Sequence, residues 1–156
     1  IGTEPTQYVA QRVLEYSIHS HASVPVEVVG GQQSQKRMGG TKFGFVRFLV
    51  PSICGYQGTG IYMDADQVVL GDVADLAAEL QAPKAVGLVR NIEGTFAGKP
   101  VAERNETSVM VLDCARLRDW DPARVHQWVE QCNASADLQE GLQAAAEKRE
   151  PEFRGR

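Results

Sequence analysis

The sequence predicts an α/β fold with a mostly parallel central sheet and flanking helices. Short segments rich in valine, isoleucine and tyrosine alternate with segments of helical periodicity along the 156 residues. Glycine, asparagine and aspartate bound the apolar segments, as is typical of strand ends. Alternating strands and helices favour a sheet whose parallel strands are joined by helical connections. The length suits one domain, so we expect residues 1–156 to form a single domain, incomplete at both ends.

The first half of the chain predicts two strands around one helix. Residues 1–7 read as a strand end and a loop, and residues 24–29, "VPVEVV", as a short strand. Between them the apolar residues of residues 7–22 have helical spacing: Val9, Val13, Leu14 and Ile18. The segment from residue 43 to 55 fits a helix or a strand equally well.

The second half predicts three further strands and two or three helices. Residues 59–80 read as a strand, an acidic turn, a short strand and a helix. Further strands are predicted within residues 83–90 and 107–113. Asp121 as N-cap and Pro122 at the first helical position predict a helix there. The tail after residue 136 has helical propensity.

Composition excludes some functions. The formal net charge of −4 and the absence of a dense basic cluster argue against nucleic-acid binding, which needs clustered Lys and Arg. No apolar run reaches the roughly 18–20 residues of a membrane span, and nothing resembles a signal peptide. The three cysteines lack CxxC spacing, so we expect reduced thiols and a cytoplasmic location.

Two carboxylates follow an apolar strand in "GIYMDADQVVLGDVADL", where Asp64 and Asp66 flank Ala65. Residues i and i+2 of an extended segment point the same way, so both carboxylates could reach one point. Converging carboxylates repel unless a cation lies between them, and oxygen ligands suit Mg²⁺ or Mn²⁺. A polar turn with two exposed aspartates is the structural alternative. We interpret Asp64 and Asp66 as metal ligands.

The segment "RFLVPSICGYQGTGIYMDADQVVLGDVADL", residues 47–76, resembles the signature of glycosyltransferase family 8 and its relatives with the GT-A fold. In that signature an arginine precedes a strand that ends in Asp-x-Asp, and a "gDi.eL" segment follows. "TSVMVLDCARLR", residues 107–118, resembles the family's "aGVlliDlkrwr" segment, and residues 1–21 resemble its first strand, nucleotide loop and first helix. The three segments occur in the family's order.

The resemblance implies a retaining glycosyltransferase that moves a sugar from a nucleotide-sugar donor, usually a UDP-sugar, to a hydroxyl acceptor. It implies that Asp64 binds the ribose and Mn²⁺, that Asp66 binds the metal, and that the small Ala65 lies close to the ribose. The alternative for Ala65 is a tolerant turn residue. Arg47 matches the arginine that contacts the donor; its alternative is a surface ion pair. A guanidinium suits that contact because it stays charged and donates in a fixed fork.

The resemblance assigns five further residues to the donor site: Gly2, Thr3, Glu4, Thr107 and Ser108. The first three match the strand end that meets the base, although the family usually has Asp in place of Glu4. A plain helix-start acid is an equal interpretation of Glu4. Thr107 and Ser108 fall where the family often has Asn-Ala-Gly. The family's specificity for a donor sugar therefore cannot be carried over to this chain.

The sequence lacks the family's third metal ligand, a histidine in an "HxxGxxKPW"-like segment. A second hypothesis is therefore a nucleotide-sugar or glycan-binding module of the same fold without turnover. A haloacid-dehalogenase-like phosphatase ranks lower, since "DADQVVLGD" lacks the residues that such a site needs. A Rossmann dehydrogenase would need GxGxxG, which "GTEPTQ" does not supply. No nucleophile or base is identified.

Overall fold

The computed structural model describes residues 1–30, 45–91, 94–96, 99–101 and 104–155. These residues form a mixed α/β structure, which confirms the fold class in its coarse form. The strands are β1 (Gly2–Thr3), β2 (Val29–Gly30), β3 (Thr59–Met63), β4 (Val86–Asn91), β5 (Gly94–Phe96), β6 (Lys99–Val101) and β7 (Arg104–Asp113). The α-helices are α1 (Tyr8–His21), α2 (Val50–Ile53), α3 (Ala74–Ala78), α4 (Pro122–Ala134) and α5 (Ala136–Glu147), and 3₁₀ turns cover Pro5–Gln7, Val46–Leu49 and Cys114–Arg116.

The chain divides into two compact units, Ile1–Trp120 and Asp121–Arg156. The first unit contains strands β1 to β7, and the second contains α4 and α5. The predicted start of α4 is confirmed, because the Asp121 side chain accepts a hydrogen bond from the Arg124 backbone N–H at 3.0 Å. Within the described ranges, no helix combines the length and apolarity needed to cross a membrane.

Strand β7 lies at the centre of an antiparallel three-stranded sheet of order β3-β7-β4. Thr59 pairs with Asp113 and Met63 with Val109, and Val86 pairs with Leu112 on the other side of β7. The prediction of a mostly parallel sheet is therefore wrong here. Parallel neighbours need a crossover, usually a helix. The described residues between β4 and β7 instead form the antiparallel pair β5 and β6, so the chain reverses direction.

The parallel part of the structure is formed by β1. Helix α1 carries the chain from β1 to β2, and Gly2 pairs in parallel with Val29. Gly2 also forms a parallel bridge with Asp64, directly after β3. The Ala65 backbone N–H donates to the Gly2 carbonyl at 3.0 Å. The carboxyl ends of β1 and β3 therefore lie side by side, at the kind of edge where ligands bind in α/β sheets.

Apolar clusters form on both sides of β3, because neighbouring residues of a strand face opposite ways. Tyr62 belongs to one cluster and Met63 to the other. The first cluster consists of Val29, Val46, Tyr62, Met110, Leu112, Cys114 and Leu117. The second consists of Leu14, Ile18, Met63, Val69 and Val73. Strand β3 is thus covered on both faces, which fits its nearly uninterrupted apolar sequence.

Three local predictions needed correction. Of the four apolar residues predicted to form the buried face of α1, only Leu14 and Ile18 are buried. Val9 and Val13 are 75% and 47% exposed. Residues 68–70 form no strand, and the undecided segment is helical from Val46 to Ile53. The strand predicted for residues 24–29 is reduced to β2.

We expect Gly60→Ala to destabilise the fold. A Cβ at Gly60 would lie 2.7 Å from Val50 Cγ1, closer than packed carbon atoms approach, and Val50 is partly buried against the first cluster. We expect a loss of about 1–3 kcal/mol in the free energy of unfolding, as for overpacked cores. Urea denaturation measures it. The matched control is Gly71→Ala, where an added Cβ meets nothing within 4 Å. Equal free energies of unfolding for the two variants would contradict the steric clash inferred at Gly60.

Candidate functional site

The candidate site is built around Asp64, which follows the last residue of β3. Its backbone N–H donates to the Ser108 carbonyl at 2.8 Å, which ties it to β7. Its carboxylate Oδ1 accepts from the Tyr62 hydroxyl at 2.5 Å and from Arg47 Nη2 at 3.2 Å. The side chain keeps 18% of its surface exposed. The carboxylate is therefore fixed through one oxygen and still reaches solvent.

Arg47 joins Asp64 to β7. Its Nη1 donates to the Thr107 carbonyl at 2.7 Å and also to the Thr107 hydroxyl. The guanidinium carbon lies 5.0 Å from the centroid of the Tyr62 ring, within the range of a cation–π contact. Arg47 Nε is buried and has no hydrogen-bond partner among the described residues. The alternative of a plain surface ion pair does not fit, because this side chain is only 12% exposed.

Tyr62 contacts two of the predicted site residues, although the sequence did not single it out. It donates to Asp64 and lies beneath the Arg47 guanidinium. A Cβ at Gly2 would overlap the Tyr62 hydroxyl, so the absence of a side chain at Gly2 makes room for the phenol. The available signal was strand alternation, since residues 62 and 64 lie two apart and share a face of the strand.

The charge of Asp64 is set by opposing effects. Burial raises the pKa of its carboxyl above the ordinary value of 3.8, and the hydrogen bond from Tyr62 and the charge of Arg47 lower it. The charge of Asp66 raises it again. The pKa of Tyr62 is raised, mainly by burial and then by its hydrogen bond to Asp64. The phenol therefore stays protonated at neutral pH and remains a donor.

Asp66 lies in a turn rather than on an extended segment. The Gln67 backbone N–H donates to the Asp64 carbonyl at 3.3 Å, which closes a turn over Ala65 and Asp66. The argument that strand alternation aligns the two carboxylates is therefore wrong. Asp66 is exposed, and its Oδ1 accepts from Gln67 Nε2 at 3.1 Å. Its negative charge still contributes to raising the pKa of Asp64.

Ala65 has none of its surface exposed. Its methyl group is therefore buried, and its backbone N–H donates to the Gly2 carbonyl. The proximity of this position to a ribose stays a prediction.

The end of β1 offers one acidic side chain near this edge. The Glu4 carboxylate accepts from the Thr6 hydroxyl at 2.9 Å, and its carbonyl accepts from the Gln7 N–H at 2.8 Å. Glu4 therefore begins the 3₁₀ turn before α1, and it is only partly buried. Thr3 is 5% exposed. These contacts agree with the interpretation of Glu4 as an acidic residue at a helix start. Its contact with a nucleobase stays a prediction.

The oxygen atoms at this edge suit a hard divalent cation. Asp64 has a second carboxylate oxygen besides the one held by Tyr62 and Arg47, and Asp66 faces solvent. Carboxylate oxygens are the ligands that Mg²⁺ and Mn²⁺ prefer. Within the described part of the chain, no three His, Cys, Asp or Glu side chains form a metal-binding group. Asp64 and Asp66 could supply two oxygen ligands at this edge, and a bound metal stays a prediction.

Most of the residues that the sequence assigned to the donor site meet at this edge. Gly2, Ala65 and Ser108 contact the Asp64 segment through the backbone, and Arg47 connects Asp64 to Thr107. Asp66 lies beside them in the exposed turn. Thr3 and Glu4 follow Gly2 at the end of β1.

We expect Asp64→Asn to change how stability depends on pH. Because the folded-state pKa of Asp64 lies above 3.8, the folded chain binds more protons than the unfolded chain between the two values. The wild type therefore loses stability, relative to the variant, as pH rises through that window. Asn keeps an oxygen that can accept from Tyr62 and Arg47.

Urea denaturation at a series of pH values measures this difference. The control is Asp75→Asn, which removes an exposed carboxylate from α3. A wild-type stability that rises with pH relative to Asp64→Asn, beyond the trend of the control, would contradict the assigned direction.

Comparison with known proteins gives one partial relative. The chain is 33% identical to Protein CDI of Arabidopsis thaliana over an alignment of 87 residues, which covers 49% of this chain and 34% of that protein. The chain thus spans about a third of the length of the curated relative that it matches. No known protein-family profile matches the chain, and no solved structure does.

Proposed function

We propose that this chain is the nucleotide-sugar-binding part of a metal-dependent, retaining glycosyltransferase with a GT-A-type fold. The donor is a UDP-sugar, and the acceptor is a hydroxyl of a saccharide or another molecule. One observation carries the proposal. Residues that the family resemblance assigns to the donor site come from distant segments, and Arg47, Asp64 and Thr107 form one hydrogen-bonded group.

Asp64 and Asp66 would hold Mn²⁺ or Mg²⁺, which offsets the charge that develops on the departing diphosphate. Two features of this edge would favour binding of the metal and the diphosphate. Tyr62 and Arg47 hold one oxygen of Asp64, so the other oxygen has a defined direction. Arg47 supplies a fixed positive charge beside the same carboxylate, where a diphosphate oxygen can accept from the guanidinium.

The alternative is a module of the same fold that binds a nucleotide-sugar or a glycan without turnover. It is favoured by the protonation of the groups around Asp64. The raised pKa of Tyr62 keeps the phenol neutral, so it does not act as a base, and an arginine stays protonated. Retaining transfer by a front-face reaction, in which the leaving diphosphate assists, would need no such base.

We expect Asp66→Ala to remove metal-dependent nucleotide binding while the fold stays intact, because Asp66 is exposed and its carboxylate accepts from the adjacent Gln67. Saturating UDP with Mn²⁺ should raise the melting temperature of the wild type by about 5–10 °C. The shift should be lost in Asp66→Ala and kept in Asp75→Ala, the exposed-carboxylate control. Thermal shift and calorimetry measure it.

The proposal fails if UDP with Mn²⁺ leaves the wild type unshifted, or if Asp66→Ala binds as well as the wild type. Where binding is present, release of UDP from a UDP-sugar distinguishes the two functions. Metal-dependent release by the wild type, absent in Asp66→Ala, supports the transferase. Tight binding without release supports the binding module.

A further inference from the structure

Two cysteine sulfurs meet beside Gly60, on the part of β3 furthest from Asp64. Cys54 follows α2 and Cys114 follows β7, so the pair is 60 positions apart in sequence. A Cβ at Gly60 would lie 3.3 Å from Cys54 Sγ and 3.0 Å from Cys114 Sγ. Both sulfurs therefore face the same point of the β3 backbone. The glycine leaves no side chain between them.

The two thiols differ in their access to solvent. Cys54 is exposed, whereas Cys114 has none of its surface exposed. The Cys114 thiol donates to the Leu112 carbonyl at 3.7 Å. Burial, and then the adjacent Cys54 thiol, raise the pKa of Cys114 to about 12. Cys114 is thus a protonated, shielded thiol, and Cys54 is the member of the pair that meets a dissolved reagent first.

The backbone around both residues is fixed by hydrogen bonds. The Cys54 N–H donates to the Val50 carbonyl at 2.9 Å, and the Cys114 N–H donates to the Gly58 carbonyl at 3.0 Å. The two chain segments therefore keep their positions on either side of β3. The sulfurs of Cys54 and Cys114 lie 3.3 and 3.0 Å from the same point beside Gly60, so a bond between them requires the two side chains to rotate toward each other.

We propose that Cys54 and Cys114 form an oxidation-sensitive dithiol that hydrogen peroxide converts into an intrachain disulfide. The Cys54 sulfur attacks the peroxide, the O–O bond breaks, and Cys54 becomes a sulfenic acid as one water leaves. The Cys114 sulfur then attacks the Cys54 sulfur. The S–O bond breaks, the S–S bond forms, and the Cys114 proton leaves with a second water. The two thiols are oxidised by two electrons, which reduce the peroxide.

The disulfide would join the end of α2 to the turn after β7, across β3. It would close a long loop that contains β3 to β7, and such cross-links stabilise mainly by restricting the unfolded chain. Oxidation should therefore raise the melting temperature by roughly 5–10 °C. This modification site does not depend on the proposed function, because it involves none of the residues around Asp64.

The experiment treats the reduced chain with hydrogen peroxide, blocks the remaining thiols with iodoacetamide and digests with trypsin without reduction. Cleavage after Arg and Lys separates the three cysteines into residues 48–84, 105–116 and 125–148. We expect mass spectrometry to find residues 48–84 cross-linked to residues 105–116, and the cross-link to disappear on reduction. The peptide with Cys132 should carry the alkyl group.

Cys132→Ser is the matched control, because Cys132 is also exposed but lies in the other compact unit. It should keep the cross-link and the rise in melting temperature. Cys54→Ser, a change at the surface, should lose both while its circular dichroism stays that of the wild type. The proposal is overturned if peroxide leaves Cys114 free for alkylation after unfolding, or if Cys54 is found only as a sulfinic acid or joined to Cys132.

Discussion

A carboxylate at the end of a covered strand is the constraint on which this structure depends. Asp64 is mostly shielded from water, and a shielded charge is tolerated only where donors replace the lost solvent. Tyr62 and Arg47 supply those donors from the same strand and from a separate helical turn. Meeting that requirement fixes the position of Arg47, and Arg47 in turn anchors Thr107 on β7. The arrangement of the candidate site follows from this electrostatic requirement.

Close packing along β3 adds a second constraint. Gly2 lies so near the Tyr62 phenol that a side chain there would displace it, and Gly60 is crowded by Val50 and two sulfurs. The two glycines act on different ends of the strand. One allows the phenol to reach Asp64, and the other allows α2 to approach the turn after β7. Both positions require the smallest residue for steric reasons, since neither has the positive φ that favours glycine.

The sequence predicts well the features of the fold that depend on neighbouring residues in the chain. The cap at Asp121 depends on residues within one helical turn, and the strands β3, β4 and β7 follow from apolar runs. Whether β4 and β7 pair in parallel or antiparallel depends on how the chain connects the two strands. Hydrophobic periodicity carries no information on that connection. The exposure of Val9 and Val13 on α1 depends on which elements cover that helix, a tertiary property.

The candidate site shows the same division. Arg47, Asp64 and Thr107 were assigned from a family resemblance, and they lie together. Strand alternation placed Asp66 wrongly, because the chain turns directly after Asp64. Tyr62 was missed because an aromatic residue in an apolar strand indicates core packing. Its second role as a hydrogen-bond donor becomes visible only when the neighbouring carboxylate is in place.

The central position of β7 has a consequence for how the chain acquires its structure. Strands β3 and β4 both pair with β7 and are made before it. During synthesis on a ribosome, these two strands emerge without the partner that saturates their backbone amides and carbonyls. Their pairing waits until β7 has left the exit tunnel. Until then the nascent chain presents unpaired apolar strands, the kind of surface that chaperones recognise.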